Sequence, residues 1–161
     1  HTFTAITVFQ GRLYMLDTAQ NQIFRFNRTA AGFGSATGWI RDEVRSLAGA
    51  VDLDIDGSVY ITYDDGRMER YFQGTRESFS LNAADPTLQA PQMLWTAEGS
   101  EHIYVLENAK HRILHFNKDG RFLEQYAFAD DSTISAFTID EAGGNGFILT
   151  GSRVSEFPLH R

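Results

Sequence analysis

The sequence contains no cysteine, which excludes disulfide bonds, thiolate-bound zinc and a cysteine nucleophile. It holds only 3 prolines in 161 residues, so extended strands can run with few interruptions. No apolar run approaches the roughly 20 residues that a membrane-spanning helix needs, and lysine and arginine form no run. The formal net charge is -7, from 14 basic and 21 acidic side chains. Because an acidic surface repels phosphates and anionic lipid headgroups, we expect neither a nucleic-acid partner nor direct membrane insertion.

One short pattern occurs four times along the chain. It consists of Arg or Gln, an aliphatic residue, two further residues and an aromatic one, and its copies are Gln22–Phe26, Arg67–Tyr71, Arg112–Phe116 and Arg153–Phe157. The aliphatic positions of successive copies are 45, 45 and 41 residues apart. A repeat of this length in strand-like sequence is typical of a β-propeller with one repeat per blade.

Each repeat also carries an apolar run between two polar turns, and the run does not alternate with polar residues. Such a run suits a strand that is buried on both faces by neighbouring blades. The aromatic residues of these runs are expected to be buried at equivalent places; they are Tyr14, Tyr60, Tyr104 and Phe147. The spacing also places Trp95 at the inner-strand position of Leu53 and Phe137. We therefore predict an all-β fold of about four antiparallel blades, with residues 1–161 in a single domain and repeats at about 4–46, 47–90, 91–133 and 134–161.

The third repeat resembles an NHL repeat over His102–Phe122. It has the aromatic-Val run, an acidic residue at Glu107, a His before Arg112-Ile113 and an aromatic residue three positions further on. The first repeat is close to the same pattern, whereas the second and fourth keep only its skeleton. This likeness to NHL-like propellers implies propeller architecture, and it leaves function open because that family includes scaffolds, sensor domains and a few enzymes.

The number and ends of the repeats predict an incomplete ring. NHL propellers usually have about six blades, and four is the practical minimum for a closed ring. The fourth repeat stops shortly after its third strand, and only residues 1–4 precede the first strand of the first repeat. We expect an arc of a larger or dimer-completed propeller, whose open blade faces are covered by a protein partner or by a second copy. The chain begins with histidine, which suggests a processed or excised piece. Its compartment is not determined, and an extracytoplasmic or extracellular domain of a bacterial protein is favoured.

Two groups of side chains resemble metal sites but lack the full pattern. Asp52–Gly57 has the first ligands and the glycine of an EF-hand calcium loop, but Tyr63 stands where the loop needs a glutamate. His111 and His115 would pair on a helix, whereas strand geometry separates them. We therefore predict no metal and no cofactor, with Asp52 and Asp54 as weak metal candidates. No catalytic residue is predicted, because no triad or phosphate loop is present.

Charged pairs flank the hairpin turns, as Glu107 does with Arg112. Such pairs could form a ring of charge for binding, but cross-hairpin pairs that hold the turns explain them better. The favoured function is a non-catalytic binding or assembly module, the scaffold or sensor part of a larger protein, which binds through a rim of loops. This rim would consist of Asp42, Glu43, Asp64, Asp65, Asp85, Lys110, His111, Asp130 and Asp131. The alternative is a metal-dependent enzyme similar to gluconolactonase-type hydrolases or lyases, which hold their metal in the central channel.

Overall fold

Four antiparallel sheets follow one another along the chain and are arranged as a four-blade propeller. The computed structural model describes residues 2–42, 46–82, 87–129 and 132–160. Each sheet is built from one sequence repeat, and we number the sheets as blades 1 to 4. The predicted all-β propeller architecture is confirmed. No helix in the described part of the chain is long and apolar enough to cross a membrane.

The strands of each blade run outward from the propeller axis in antiparallel order. Blade 1 contains β1 (Phe3–Phe9), β2 (Arg12–Asp17), β3 (Gln22–Phe26) and β6 (Thr37–Gly38), and a separate hairpin is made by β4 (Arg28–Thr29) and β5 (Gly32–Phe33). Blade 2 contains β7 (Ala50–Ile55), β8 (Val59–Tyr63), β9 (Met68–Phe72) and β10 (Thr75–Glu77). Blade 3 contains β11 (Met93–Trp95), β12 (His102–Glu107), β13 (Arg112–Asn117) and β14 (Phe122–Ala127), with a 3-10 turn at Asn108–Lys110. Blade 4 contains β15 (Ile134–Asp140), β16 (Asn145–Thr150) and β17 (Arg153–Pro158).

The first strand of each blade lies at the centre of the arrangement. β1 contacts β7, β7 contacts β11, and β11 contacts β15. These four inner strands border a cavity of about 400 Å³, whose lining includes Thr7, Asp52, Trp95 and Phe137. The cavity corresponds to the central channel of a propeller.

Three hydrophobic clusters hold the blades together, and each fills the space between two neighbours. The first joins blades 1 and 2 through residues such as Leu16 and Ile61, and the second joins blades 2 and 3 through Tyr60 and Val105. The third joins blades 3 and 4 through residues such as Leu106 and Ile148. Among the described residues, no cluster joins blade 4 to blade 1. The arc is therefore held by three junctions and is open at its two ends.

The cross-strand register identifies equivalent positions in the four blades. The residues opposite Tyr14, Tyr60, Tyr104 and Phe147 on the inner strands are Thr7, Asp54, Trp95 and Thr138. Trp95 is thus equivalent to Asp54, not to Leu53, and the sequence alignment at this position was wrong by one residue. Since neighbouring residues of a strand point to opposite faces, this shift turns Trp95 toward blade 4.

The three tyrosines at this position are buried, as predicted, with exposures of 5%, 2% and 2%. Phe147 is only half-buried, and the prediction of full burial was wrong for it. The reason lies in the arrangement of the blades. Each tyrosine points toward the next blade along the chain, whereas Phe147 points away from blade 3, where no further blade covers it.

Candidate functional site

The predicted loop rim is only partly described by the structure. Asp64 and Asp65 lie in the turn between β8 and β9, and Lys110 and His111 lie in the equivalent turn between β12 and β13. Asp42 accepts a hydrogen bond from the backbone N–H of Arg76, at the outer strand of blade 2, at 2.9 Å. The remaining members of the rim lie outside the described residues; they are Glu43, Asp85, Asp130 and Asp131.

Polar groups of these turns bind the links that lead into the inner strands. The Nζ atom of Lys110 donates to the carbonyl oxygen of Thr87 at 3.1 Å. The side chain of Asn108 both donates to and accepts from the backbone of Ile134, at 2.9 Å in each case. These contacts attach the turn of one blade to the chain that enters the same blade or the next one. The turns therefore have a structural role, and the use of the rim for binding stays a prediction.

A buried ion pair stabilises the turn of blade 3. Glu107 is 0% exposed and Arg112 is 3% exposed, and the Oε2 atom of Glu107 lies 2.6 Å from both Nε and Nη2 of Arg112. The other carboxylate oxygen accepts the backbone N–H of Gln89 at 2.8 Å. In blade 2, by contrast, the pair of Arg67 and Asp65 is exposed. The sequence predicted the cross-hairpin pair correctly but contains no signal that it is buried.

Asp52 and Asp54, the weak metal candidates, face blade 3 from the inner strand of blade 2. Asp52 accepts the backbone N–H groups of Leu53 and Leu94, both at 2.9 Å. Asp54 accepts those of Ile55 and Thr96 at 2.9 and 3.0 Å, and it also accepts the hydroxyl of Thr7 at 3.1 Å. The groups that donate hydrogen bonds to these two carboxylates therefore come from blades 1, 2 and 3. Separate blades are not joined by strand-to-strand hydrogen bonds as the strands of one sheet are. The two aspartates connect the inner strands instead.

The described residues contain no group of three or more His, Cys, Asp or Glu side chains that could hold a metal ion. Burial raises the pKa of Asp52 to about 7 and also raises the pKa of Asp54. Hydrogen bonds from the backbone oppose this effect but do not cancel it. The geometry thus supports a role of both aspartates in joining the blades.

We predict a stability change with pH that originates at Asp52. Its pKa is about 7 in the folded chain and about 3.8 when unfolded, so the folded state binds more protons between these values. The contribution of Asp52 to the free energy of unfolding should therefore be full below about pH 4 and should decrease as the pH rises to about 7. Denaturant titrations of the wild type and of Asp52→Asn across this range test the prediction. A variant profile with the same slope as the wild type would contradict it.

A cluster of histidines, glutamates and tyrosines lies between blades 3 and 4, and sequence reasoning did not find it. The rings of His102 and His115 are 4.5 Å apart, and His102 contacts Glu141 of blade 4 through Nδ1 at 2.9 Å. His115 stacks on Tyr104 with ring centroids 4.4 Å apart, and it contacts Glu124 through Nδ1 at 3.2 Å. Burial lowers the pKa of His115, so its neutral form is favoured. The cluster supplies polar contacts at the junction of two blades.

The face of blade 4 that points away from blade 3 is apolar and uncovered. We call the side of a blade that points to the next blade its forward face, and the opposite side its backward face. The forward face of blade 4 forms a shallow groove of about 210 Å³, lined by Ala136, Thr138, Phe147, Leu149 and Val154 among others. Val154 is 66% exposed, whereas its equivalents by register are almost fully buried: Ile23 at 0%, Met68 at 3% and Ile113 at 0%.

The backward face of blade 1 is uncovered in the same way. Ile6 and Val8 of β1 are 61% and 62% exposed. Their equivalents in blade 2 are Leu53 and Ile55, which are 2% and 5% exposed because blade 1 covers them. The sequence alone does not distinguish these positions, since all of them carry aliphatic side chains.

Comparison with solved structures shows the same fold in several propeller proteins. Virginiamycin B lyase from Staphylococcus aureus matches with a TM-score of 0.61 and 20% identity, over 98% of this chain and 55% of that one. A chain of the nidogen/laminin complex matches with a TM-score of 0.69 and 19% identity, over 97% of this chain and 60% of that one. The computationally designed Ika4 protein matches with a TM-score of 0.65 and 14% identity, over 99% of this chain and 92% of that one.

The chain spans about half the length of several of these proteins, 46% in the case of the designed Ika8 protein. No family model and no curated protein sequence matches the chain. The structural neighbours differ in what they are, since they include lyases and a WD40 domain. The likeness to propellers that the sequence suggested is confirmed, while the NHL assignment stays a prediction. By fold, the chain belongs to the β-propellers.

Proposed function

We propose that this chain is a non-catalytic assembly module, a propeller segment whose two end faces are covered by protein. The observation that carries the proposal is the exposure of Val154, at 66%, at a position that is at most 3% exposed in blades 1 to 3. Aliphatic side chains placed for a blade-to-blade contact contribute their burial energy only when a partner covers them. An uncovered face of this kind is typical of a surface that binds protein.

The outer edge of blade 4 supports the same proposal. Blade 4 has three strands in the described part of the chain, whereas blades 1 to 3 each have four. The third strand, β17, therefore has an outer edge that pairs with no other strand among the described residues. An exposed strand edge is a site where a strand from another chain can be added.

The proposal can be tested with a single cysteine at the end face. Because the chain has no cysteine of its own, Val154→Cys provides one reactive thiol on the forward face of blade 4. We expect this thiol to react slowly with a membrane-permeant maleimide in the cells that produce the protein, since a partner covers it. After purification and strong dilution, it should react at the rate of an exposed thiol.

Thr75→Cys is the matched control, because Thr75 is exposed on β10, the outer strand of blade 2, away from both end faces. Its labelling rate should be the same in cells and after dilution. Equal rates for Val154→Cys in the two conditions would show that the face is uncovered in cells, and they would refute the proposal. This readout does not depend on which protein covers the face.

The alternative of a metal-dependent enzyme, similar to gluconolactonase-type hydrolases or lyases, has weaker support. Two lyases are among the structural neighbours, but identities of 20% and 15% carry the likeness of fold alone. Asp52 and Asp54, the carboxylates that border the channel, already accept backbone N–H groups of two blades. Binding a metal there would require these contacts to be given up.

A further inference from the structure

The two open faces are the two halves of one contact that occurs three times within the chain. At every internal junction, the forward face of one blade packs on the backward face of the next. In the described part of the chain, the forward face of blade 4 and the backward face of blade 1 pack on no other blade. A copy of blade 1 placed after blade 4 would therefore meet the kind of surface on which blades 2, 3 and 4 pack.

A polar pair accompanies the junction between blades 2 and 3. Asp56 follows the inner strand of blade 2, and Lys118 follows the third strand of blade 3. The Nζ atom of Lys118 lies 2.5 Å from the Oδ2 atom of Asp56, and both side chains are largely buried. The other oxygen of Asp56 accepts the backbone N–H of Ser58 at 2.9 Å and so holds the turn.

The same two positions in blades 4 and 1 carry opposite charges. Asp140 of blade 4 is equivalent to Asp56, because each stands two residues after the inner-strand residue that pairs with the aromatic of the apolar run, Thr138 in blade 4 and Asp54 in blade 2. Arg28 of blade 1 is equivalent to Lys118, because each stands two residues after the aromatic residue of the repeated pattern. The corresponding pairs at the other two junctions are uncharged: Phe9 with Gln73, and Ala97 with Leu159.

Asp140 holds the turn that follows its strand in the same way as Asp56 does. Its Oδ1 atom accepts the backbone N–H of Gly143 at 2.9 Å, which holds the turn after β15. Both Asp140 and Arg28 are exposed, and the described residues provide no ion-pair partner for either. The two open ends of the arc thus match each other in the kind of blade face that they present, in apolar character and in charge.

We propose that two copies of this chain dock head to tail, with the forward face of blade 4 of each copy on the backward face of blade 1 of the other. Asp140 of one copy then pairs with Arg28 of the second copy at each of two identical junctions. The two arcs close a ring of about eight blades, within the range that propellers adopt. A two-fold axis relates the copies, and the head-to-tail contacts close rather than extend. The inference rests on the proposed function, because it names the partner that covers the end faces.

The complementarity of the two ends favours a second copy over other partners. A different protein would bring its own residues to each face, so Arg28 and Asp140 would have no reason to match each other. Closure within one chain would also bring them together, but blades 1 and 4 share no core cluster in the described part of the structure. The two ends match but do not meet within one chain. A contact between two chains accounts for this match.

The test uses purified chain, light scattering after size-exclusion chromatography, and two charge reversals. We expect the wild type to be a dimer and both Arg28→Asp and Asp140→Arg to weaken dimerisation by roughly tenfold or more, because each places like charges at both junctions. An equimolar mixture of the two variants should regain the wild-type affinity, because each junction of the mixed dimer then holds opposite charges. The double variant Arg28→Asp with Asp140→Arg should dimerise as the wild type does.

Each outcome decides the inference. A wild type that stays monomeric at every concentration overturns it, and slow labelling of Val154→Cys in cells would then show that the proposed function stands with another partner. A dimer that both reversals weaken but their mixture does not restore overturns the head-to-tail arrangement. A dimer that neither charge reversal weakens overturns the arrangement as well. Circular dichroism and the melting temperature of each variant monomer verify that the fold is intact.

Discussion

We expect Glu107→Ala to lower the free energy of unfolding by about 3–5 kcal/mol, because it removes the buried carboxylate that pairs with the buried guanidinium of Arg112. Arg112 is 3% exposed, so water cannot replace the carboxylate without opening the turn. The same change removes the acceptor for the backbone N–H of Gln89 in the link to blade 3. Equilibrium unfolding in urea measures the loss.

Asp65→Ala is the control for this prediction. Asp65 pairs with Arg67 in the turn of blade 2, but its side chain is 58% exposed and that of Arg67 is 40% exposed. Because exposed ion pairs contribute little, its loss should cost less than about 1 kcal/mol. Similar losses for the two variants would mean that the burial of the Glu107 pair has no energetic weight.

The second large loss of stability is expected at the buried aromatic position of the second strand, which we compare between blades 3 and 4. Tyr104→Ala should cost about 3–5 kcal/mol, since the ring is 2% exposed and its removal leaves a cavity between blades 3 and 4. The ring also stacks on His115, with centroids 4.4 Å apart, and packs edge-on against Trp95 at 5.6 Å. These contacts are lost together with the buried surface.

Phe147→Ala is the matched variant, because Phe147 occupies the same position in blade 4. Its ring is half-buried on an open face, so the cost should be about 1–2 kcal/mol in the monomer. Unfolding must be measured at a dilution at which the chain does not self-associate. Equal losses for Tyr104→Ala and Phe147→Ala under these conditions would show that the face of blade 4 is covered within a single chain.

The repeats, the turns and most strands are visible in the sequence because their causes are local. A run such as Ile103–Leu106 between two polar turns favours a strand whatever packs on it. The pairing of Glu107 with Arg112 across a tight turn is local as well. The predicted assignment of Trp95 was wrong because it relied on spacing from the turns, whereas the pairing of β11 with β12, which places Trp95 opposite Tyr104, sets the register.

The contacts that join blades could not be predicted from the sequence. The hydrogen bond from the backbone N–H of Leu94 to Asp52 connects residues 42 positions apart. The cluster of His102, His115 and Glu141 likewise depends on how blade 4 sits against blade 3. An Asp in an alternating stretch resembles a metal ligand as much as a link between strands, so the sequence left both interpretations open.

Val154 shows where the information in the sequence ends. It fills the aliphatic position of the repeated pattern, as Ile23, Met68 and Ile113 do, and the pattern correctly places all four on the third strand of a blade. The strand and the direction of the side chain follow from local alternation, which acts over a few residues. Whether the side chain is covered depends on a neighbouring blade, and the first three positions have one while the fourth does not. Burial is a property of the packed arrangement, and only the tertiary structure decides it.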